Sequence, residues 1–464
     1  MARHQPNRQL ALLLDEAEWN PAELARAVNA LGKAQGLRLR YDRTSVAHWL
    51  TGSRPRPPVP DLVAAAFSRR TERLVTAQET GLSRPGQAAD DLPLASGAGD
   101  DDAAHRLTIL ARTDADPARR SQLTRGVYSL RAVESPAWDS ERPAPRRPRS
   151  SHSRVSAEEV GALREMCQIF ADLMERHGGA HARAALASYL TDDTARLLAA
   201  PAESALRREL FTLAAQLTHV LARMTMDAGH PGLAQGYFTT ALGLASEADD
   251  RRMYAITLRA MSLQALQLGF HEKASQLADT AIDAGRHADP ATRAFLLSQS
   301  AVTHAHAGQR RRAVADLAAA ESQFDRATRK AGPFDAYPRA GLDYQSGRTL
   351  LALGDAEQAA RSLATSAAAR GDHQRRSGAL THARLAATLL SLGRLEESCV
   401  HWNAFLDQYL SLRLVLADDA LTYLRRSLYR YRDQPHAAAV LHRARSLTRT
   451  APASSKGRRT GPPR

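Results

Sequence analysis

Five glycines recur at similar intervals in the second half of the chain, each at the end of an apolar helical pattern. The intervals are 40, 39, 46 and 39 residues, and the glycines are Gly229, Gly269, Gly308, Gly354 and Gly393. A small side chain stands five residues after each of them: Ala234, Ala274, Ala313, Ala359 and Ser398. Glycine permits the left-handed backbone of a tight turn, and small side chains let neighbouring helices approach closely. The pattern therefore predicts antiparallel helix pairs that repeat along residues 156–447.

The composition favours helices over the whole chain. Apolar residues make up 44% of the sequence and aromatic residues only 5%. Alanine and leucine supply most of the apolar count, and both lose little side-chain freedom in a helix. A final repeat without glycine is expected near the C-terminus, with Asp433 at the turn and Ala438 at the small position.

This repeat resembles the tetratricopeptide repeat (TPR), a helix-turn-helix unit of about 34 residues, although its step is longer and uneven. The resemblance implies an all-α fold in which a TPR-like α-solenoid follows an N-terminal domain. It also implies a groove for a protein, peptide or small-molecule signal, or a surface for dimerisation.

Two other stretches have the composition of linkers and tails. Residues 83–155 contain "SRPGQAADDLPLASGAGDDDAA" and "SPAWDSERPAPRRPRSSHS", and residues 448–464 form a basic tail. Such segments bury too little apolar surface to offset the entropy lost on ordering. We expect a largely disordered linker, with room for one short ordered element at 104–133, and a disordered tail.

The first 82 residues predict a separate helical domain, residues 5–82. Asn20 is a suitable N-cap, Pro21 suits the first helical position, and Glu23 can complete a capping box. A second cap is predicted at Asp42, in "YDRTSVAHWLTGSRPRPPVPDLVAAAF". The helix that it begins runs over 43–50, and the next helix runs from about 60 to 74.

The helix over 43–50 has two different faces. Val46, Trp49 and Leu50 share a side at helical spacing and should point inward. Gly52 and the prolines after it end the helix, because proline blocks both its own position and the one before it. A helix of this length with a polar outer face suits the major groove of DNA. The outward residues are Arg43, Thr44, Ser45 and His48.

The run "SVAHWLTGSRPRPPVPDLVAAAF" resembles the helix-turn-helix domain of Xre/Cro-like repressors. In that family a recognition helix ending in W-x-x-G is followed by arginines, proline and an apolar helix. The resemblance implies double-stranded DNA as a partner. Arg43, Thr44, Ser45 and His48 would then contact base edges or phosphates, and Arg54 and Arg56 would lie near backbone phosphates.

The whole architecture resembles the actinobacterial helix-turn-helix/TPR regulators. That resemblance implies a homodimeric transcriptional regulator, a repressor in sporulation or antibiotic production. The charge distribution agrees with a polyanion partner. Of the net charge of +14, the first 82 residues carry +4, residues 442–464 carry +7 and residues 155–441 only +1.

A second function stays open, because "GKAQGLRLRYD" is longer than the usual turn between the second and third helices of the family. The protein would then be a TPR adaptor that binds another regulator and uses its N-terminal domain for protein docking.

Catalysis is not expected, because the chain has no phosphate-binding loop, no H-E-x-x-H helix and no paired-cysteine zinc pattern. We predict no enzyme, no cofactor and no metal site. Cys167 and Cys399 stand far apart and fit reduced core residues. His304 and His306 are two residues apart, which places them on different sides of a helix. No apolar run approaches the roughly 20 residues of a membrane span, and no signal-peptide cleavage site appears, so a cytoplasmic protein is expected.

Overall fold

The computed structural model describes residues 6–82 except 35, 36, 38, 57, 72–74, 76 and 78, residues 103–116, scattered positions from 120 to 138, and residues 154–328 and 334–447. Over these residues the chain is all-helical and contains no strand, as its composition predicts. The stretches at 83–102 and 139–153 and the basic tail at 448–464, where disorder was predicted, lie outside the described residues.

Four helices form the N-terminal region: α1 (Arg8–Glu16), α2 (Pro21–Ala34), α3 (Arg43–Leu50) and α4 (Val59–Thr71). Helix α2 packs against α3 and α4, and α1 packs against α3. The predicted cap of α2 is confirmed, since the Asn20 side chain accepts hydrogen bonds from the backbone N–H groups of Ala22 and Glu23, at 3.0 and 3.1 Å. Apolar side chains from all four helices are buried between them: Leu10, Leu24, Val28, Trp49 and Phe67.

The long region after residue 154 begins with α6 (Ala157–His177), α7 (Arg183–Tyr189) and α8 (Ala195–Ala199), with a π-helical turn at Leu190–Thr194. Six antiparallel helix pairs follow in a solenoid-like arrangement. They are α9 (Ser204–Asp227) with α10 (Pro231–Glu247), α11 (Arg251–Gln267) with α12 (His271–Ala284), α13 (Pro290–His306) with α14 (Arg310–Asp325), α15 (Arg339–Ala352) with α16 (Ala356–Ala368), α17 (Arg375–Ser391) with α18 (Leu395–Tyr409), and α19 (Val415–Leu428) with α20 (Pro435–Ser446).

The predicted glycine turns are confirmed. Gly229, Gly269, Gly308, Gly354 and Gly393 end the first helix of five successive pairs, with φ angles of 83°, 80°, 74°, 87° and 77°. At each turn the residue after the glycine donates its N–H to a carbonyl five residues earlier, for example His230 to Thr225 at 3.1 Å. This is the Schellman geometry, which closes a helix through a left-handed residue. The small residues five positions later are fully buried.

The sixth pair departs from the predicted register. Ala438 is only half-buried, and Ala437 is the buried small residue at the start of α20. The turn before it has no glycine, contains a 3-10 turn at Tyr429–Tyr431, and leads into a helix that starts at Pro435. This different turn displaces the packing position by one residue.

The first helices of the pairs form an inner layer. The late helices of this layer contact helices at the start of the region. Helices α9, α11, α13 and α15 contact one another in sequence, and α17 contacts α6. Asp227 at the end of α9 accepts two hydrogen bonds from Arg376 on α17, each of 2.7 Å. The backbone N–H of Arg413 also donates to the carbonyl of His177 at 2.7 Å. The solenoid is therefore closed by contacts between its early and late helices.

One helix, α5 (Ala103–Ala115), lies where the short ordered element at 104–133 was expected. It packs against α7 and α10. The buried Asp114 carboxylate accepts two hydrogen bonds from Arg183, at 2.6 and 3.0 Å, and one from the Tyr237 hydroxyl at 2.7 Å. Farther along the same stretch, the Tyr128 ring stacks on Phe270 with centroids 5.5 Å apart. This part of the connection is therefore attached to the solenoid.

Two smaller predictions concern cysteines and membranes. Cys167 and Cys399 are both free and buried, as predicted for core residues. Over the described ranges, we find no helix that is long and apolar enough to cross a membrane.

Candidate nucleic-acid interface

Helix α3 begins and ends through local polar contacts. The Asp42 carboxylate accepts hydrogen bonds from the backbone N–H and the hydroxyl of Ser45, at 2.9 and 2.8 Å. The backbone hydrogen bond from Ser45 lowers the pKa of Asp42, so the cap keeps its negative charge at the helix N-terminus. At the other end, Gly52 has a φ of 102° and ends the helix. The predicted helix bounds are thus confirmed.

The inner face of α3 anchors the helix in the N-terminal region. Val46 is 0% exposed and Trp49 is 4% exposed. The Trp49 ring makes an edge contact with Tyr41, with centroids 5.1 Å apart. Asn29 on α2 binds the backbone of Tyr41 twice, accepting from its N–H at 2.9 Å and donating to its carbonyl at 2.7 Å. The long α2–α3 connection is therefore fixed to α2 immediately before the cap of α3.

The outer face of α3 carries most of the predicted contact residues. Arg43, Thr44 and His48 are exposed, as predicted. Ser45 differs, because it is half-buried and its hydroxyl is bound by the Asp42 cap. A serine three residues after an aspartate cap is in the position of a capping box, and this is the signal that assigns Ser45 to helix initiation.

Arginines stand at both ends of the exposed face. Arg43 is the first residue of α3, and the exposed Arg54 and Arg56 follow its end. Among the described residues, these three guanidinium groups have no ion-pair or hydrogen-bond partner. An eight-residue helix is about 12 Å long, close to the width of the DNA major groove. The arrangement can therefore bring cations to phosphates on both sides of a groove that α3 enters.

Arg40 was not selected from the sequence, yet it lies beside this surface. It is exposed and stands two residues before the Asp42 cap. The alternating "LRLRY" run before the cap is a signal for this position, since Leu39 packs against the core and Arg40 faces solvent.

The other predicted site residues are the five turn glycines and the small residues that follow them. They serve the repeat turns rather than a chemical site.

The two histidines of α13 lie apart from each other, as their spacing predicts. His304 is buried, with its Nδ1 atom 2.8 Å from an Asp316 carboxylate oxygen, whereas His306 is exposed and its ring stacks on that of His271. The described part of the chain contains no cluster of three or more His, Cys, Asp or Glu side chains that could hold a metal.

Comparison with known proteins bears on the N-terminal region. The family model of the SP15 N-terminal domain matches residues 10–83. This range includes α2, α3 and α4 and nearly all of α1, so the candidate interface lies inside the matched domain. A search of curated proteins found no match to the chain. By this comparison the N-terminal region is similar to the SP15 N-terminal domain.

Proposed function

We propose that the protein is a DNA-binding transcriptional regulator whose N-terminal helices form a helix-turn-helix domain. The observation that carries this proposal is the outer face of α3. It combines exposed Arg43, Thr44 and His48 with exposed Arg54 and Arg56 just beyond the helix. The opposite face is buried through Val46 and Trp49, so the helix is held rigidly with its polar side outward. The resemblance to actinobacterial helix-turn-helix/TPR regulators supports repression as the mode of regulation, in development or secondary metabolism.

The six helical pairs from α9 to α20 are proposed to be TPR-like and to act as the sensing or assembly region. Their left-handed glycine turns and buried small residues support this assignment. Such a region can dimerise or bind a protein, peptide or small-molecule signal. Dimerisation would place two copies of α3 about 34 Å apart, one turn of DNA. Signal binding would then change DNA affinity by changing that separation.

The docked helix α5 supports a mechanical connection between the two regions. Its Asp114 is held by Arg183 and Tyr237 of the solenoid. The close approach of α5 also depends on Gly243, where an added Cβ would stand 2.9 Å from the Cβ of Ala103. A rearrangement of α7 or α10 would therefore move α5, which lies between the two regions in the sequence.

The experiment is a mobility-shift titration of the full-length protein against double-stranded DNA at several salt concentrations. Arg43→Ala combined with Arg54→Ala should weaken binding and lower the slope of log affinity against log salt by about 1 for each lost phosphate contact. Arg26→Ala is the control, because Arg26 lies on α2 and its guanidinium is 3.9 Å from the Glu23 carboxylate. Retention that is unchanged in the double variant would remove the assigned surface and favour the adaptor function.

A further inference from the structure

The inner helices of the solenoid bring arginines from separate pairs to one place. The residues ten and six positions before the turn glycines include Arg223 on α9, Arg259 on α11 and Arg348 on α15. Arg259 is close enough to both Arg223 and Arg348 for each to lower its pKa. Helices α11 and α15 are separated in sequence by the α13–α14 pair, so these side chains converge on the interior of the closed solenoid. Arg384 of α17 reaches the same region, since it lies near Arg348.

Two carboxylates near Arg223 are already engaged. Asp227 binds Arg376 through both oxygens, and Glu175 accepts a hydrogen bond from the backbone N–H of Ser377 at 2.9 Å. Within the described residues, no carboxylate lies within ion-pair distance of Arg223, Arg259 or Arg348. The interior therefore holds an excess of positive charge that the protein does not neutralise by direct contact.

Neutral contacts hold two of these arginines in position. The Nε atom of Arg259 donates to the carbonyl of Phe295 at 2.8 Å, and its guanidinium lies 3.5 Å from the centroid of the Phe295 ring. Arg348 donates to the Gln345 side chain at 2.9 Å, and Gln345 donates in turn to Gln299 at 2.9 Å. Both arginines are therefore oriented without a counter-ion.

Unused donors stand at the two ends of this hydrogen-bonded chain. Arg348 is 9% exposed, and its Nε atom has no hydrogen-bond partner among the described residues. Gln299 is 0% exposed, and within the same described part of the chain its Nε2 atom also has no partner. Buried donors are nearly always satisfied in folded proteins, and an unsatisfied one needs an explanation such as an absent ligand or ion.

The electrostatic environment agrees with an anion site. Burial is the main cause that lowers the pKa of Arg259 to about 9 and that of Arg348 to about 10, and neighbouring arginines contribute to both shifts. Burial raises the pKa of Tyr344, but the fields of Arg384, Arg348 and Arg370 outweigh it and lower this pKa to about 8. A phenol that ionises this easily reports a positive local potential.

We propose that the inner face of the solenoid binds a small ligand through a carboxylate or phosphate group, with Arg223, Arg259 and Arg348 as cationic contacts and Gln299 as a neutral donor. Planar guanidinium groups bind both kinds of oxyanion through paired charge-assisted hydrogen bonds. The closed ring and the deep position of Arg348 favour a small ligand over a macromolecule. The inference deepens the sensing role proposed for the repeats and rests on it only for the effect of the ligand on DNA.

The test is isothermal titration calorimetry of the full-length protein with pyrophosphate and, separately, citrate, at constant ionic strength set with sodium chloride. We expect saturable binding of at least one probe, and the tighter probe identifies the preferred group. Arg223→Met removes a cation that has no direct partner among the described residues and should weaken binding at least about tenfold. Arg348→Met should do the same, while the exposed Arg311→Met on α14 should leave binding unchanged.

Thermal unfolding keeps the test independent of folding defects. Because like charges repel, Arg223→Met should unfold at the same or a higher temperature than the parent without probe, and should lose the stabilisation that the probe confers. The proposal would be overturned if the parent showed no saturable binding, or if Arg223→Met and Arg348→Met both bound the probe as tightly as the parent does. Anion binding without DNA retention would leave this inference standing and remove the DNA-binding function, and DNA retention without anion binding would do the reverse.

Discussion

The N-terminal region and the solenoid use arginine in opposite ways. Around α3, Arg43, Arg54 and Arg56 are exposed at the surface of a small domain. In the solenoid, Arg259 and Arg348 lie on the inner face, where burial lowers their pKa values. An exposed row of cations suits an extended polyanion, whereas converging buried cations suit a compact anion. The two sets of arginines therefore suit partners of different size.

The two regions also differ in how they are held together. The N-terminal region relies on apolar side chains buried between its four helices and on local caps such as Asp42 with Ser45. The solenoid relies on repeated glycine turns and on long-range closure, in which Asp227 and Arg376 are separated by 149 residues. Local damage should therefore stay local in the first region, and loss of the closure should affect the whole ring in the second.

Asp227→Ala should have the largest effect. It leaves the Arg376 guanidinium buried without its partner and removes the acceptor of the Gly179 N–H group, which lies 3.0 Å from Asp227. Breaking a buried ion pair from one side costs about 3–5 kcal/mol. Chemical denaturation followed by circular dichroism should show this loss, and small-angle X-ray scattering should show a larger radius of gyration. Arg394→Ala, which removes an exposed pair with Glu397, is the control and should change neither.

Trp49→Ala should have a large effect that is confined to the N-terminal region. Trp49 is 4% exposed and packs between α3 and its neighbours. Truncating a buried tryptophan to alanine typically costs about 3–5 kcal/mol. Hydrogen exchange measured by mass spectrometry should show lost protection in residues 6–71 and unchanged protection in residues 204–447. Equal loss in both regions would contradict a local effect of this substitution.

Gly308→Ala should have the smallest effect. Gly308 has a φ of 74°, and an added Cβ would meet no atom within 4 Å, so only the left-handed backbone opposes alanine. The cost should be about 1–2 kcal/mol in chemical denaturation. Gly178→Ala is the matched comparison, because its φ is 77° but the new Cβ would stand 2.7 Å from the Arg413 carbonyl oxygen. Gly178→Ala should lose clearly more stability than Gly308→Ala. Equal losses would mean that the backbone at Arg413 can shift away from residue 178 at little cost.

The local features of this protein were predictable from its sequence. A cap at Asp42 and a glycine at 52 were enough to bound α3, and five glycines were enough to place five turns. These features are encoded within a few residues of chain. The buried small position of the sixth pair is Ala437 rather than the predicted Ala438. This shift was not predictable because the last turn has no glycine and its geometry is different.

Long-range features were not predictable in the same way. Neither Asp227 nor Arg376 belongs to a periodic pattern, so their pairing appears only once the solenoid has closed. The docking of α5 likewise depends on the ion pair between Asp114 and Arg183, which are 69 residues apart in the sequence. The inner arginines did have a signal, since Arg223 and Arg348 both stand six residues before a turn glycine, but that register has meaning only when the inner layer is known.

The most direct test of the account is selection from a randomised double-stranded DNA library with the full-length protein at low salt. We expect the parent protein to enrich a defined sequence, and the variant with Arg43→Ala and Arg54→Ala to enrich it far less. Enrichment of no sequence by the parent protein would contradict DNA recognition through α3 and would favour an adaptor that acts on another protein.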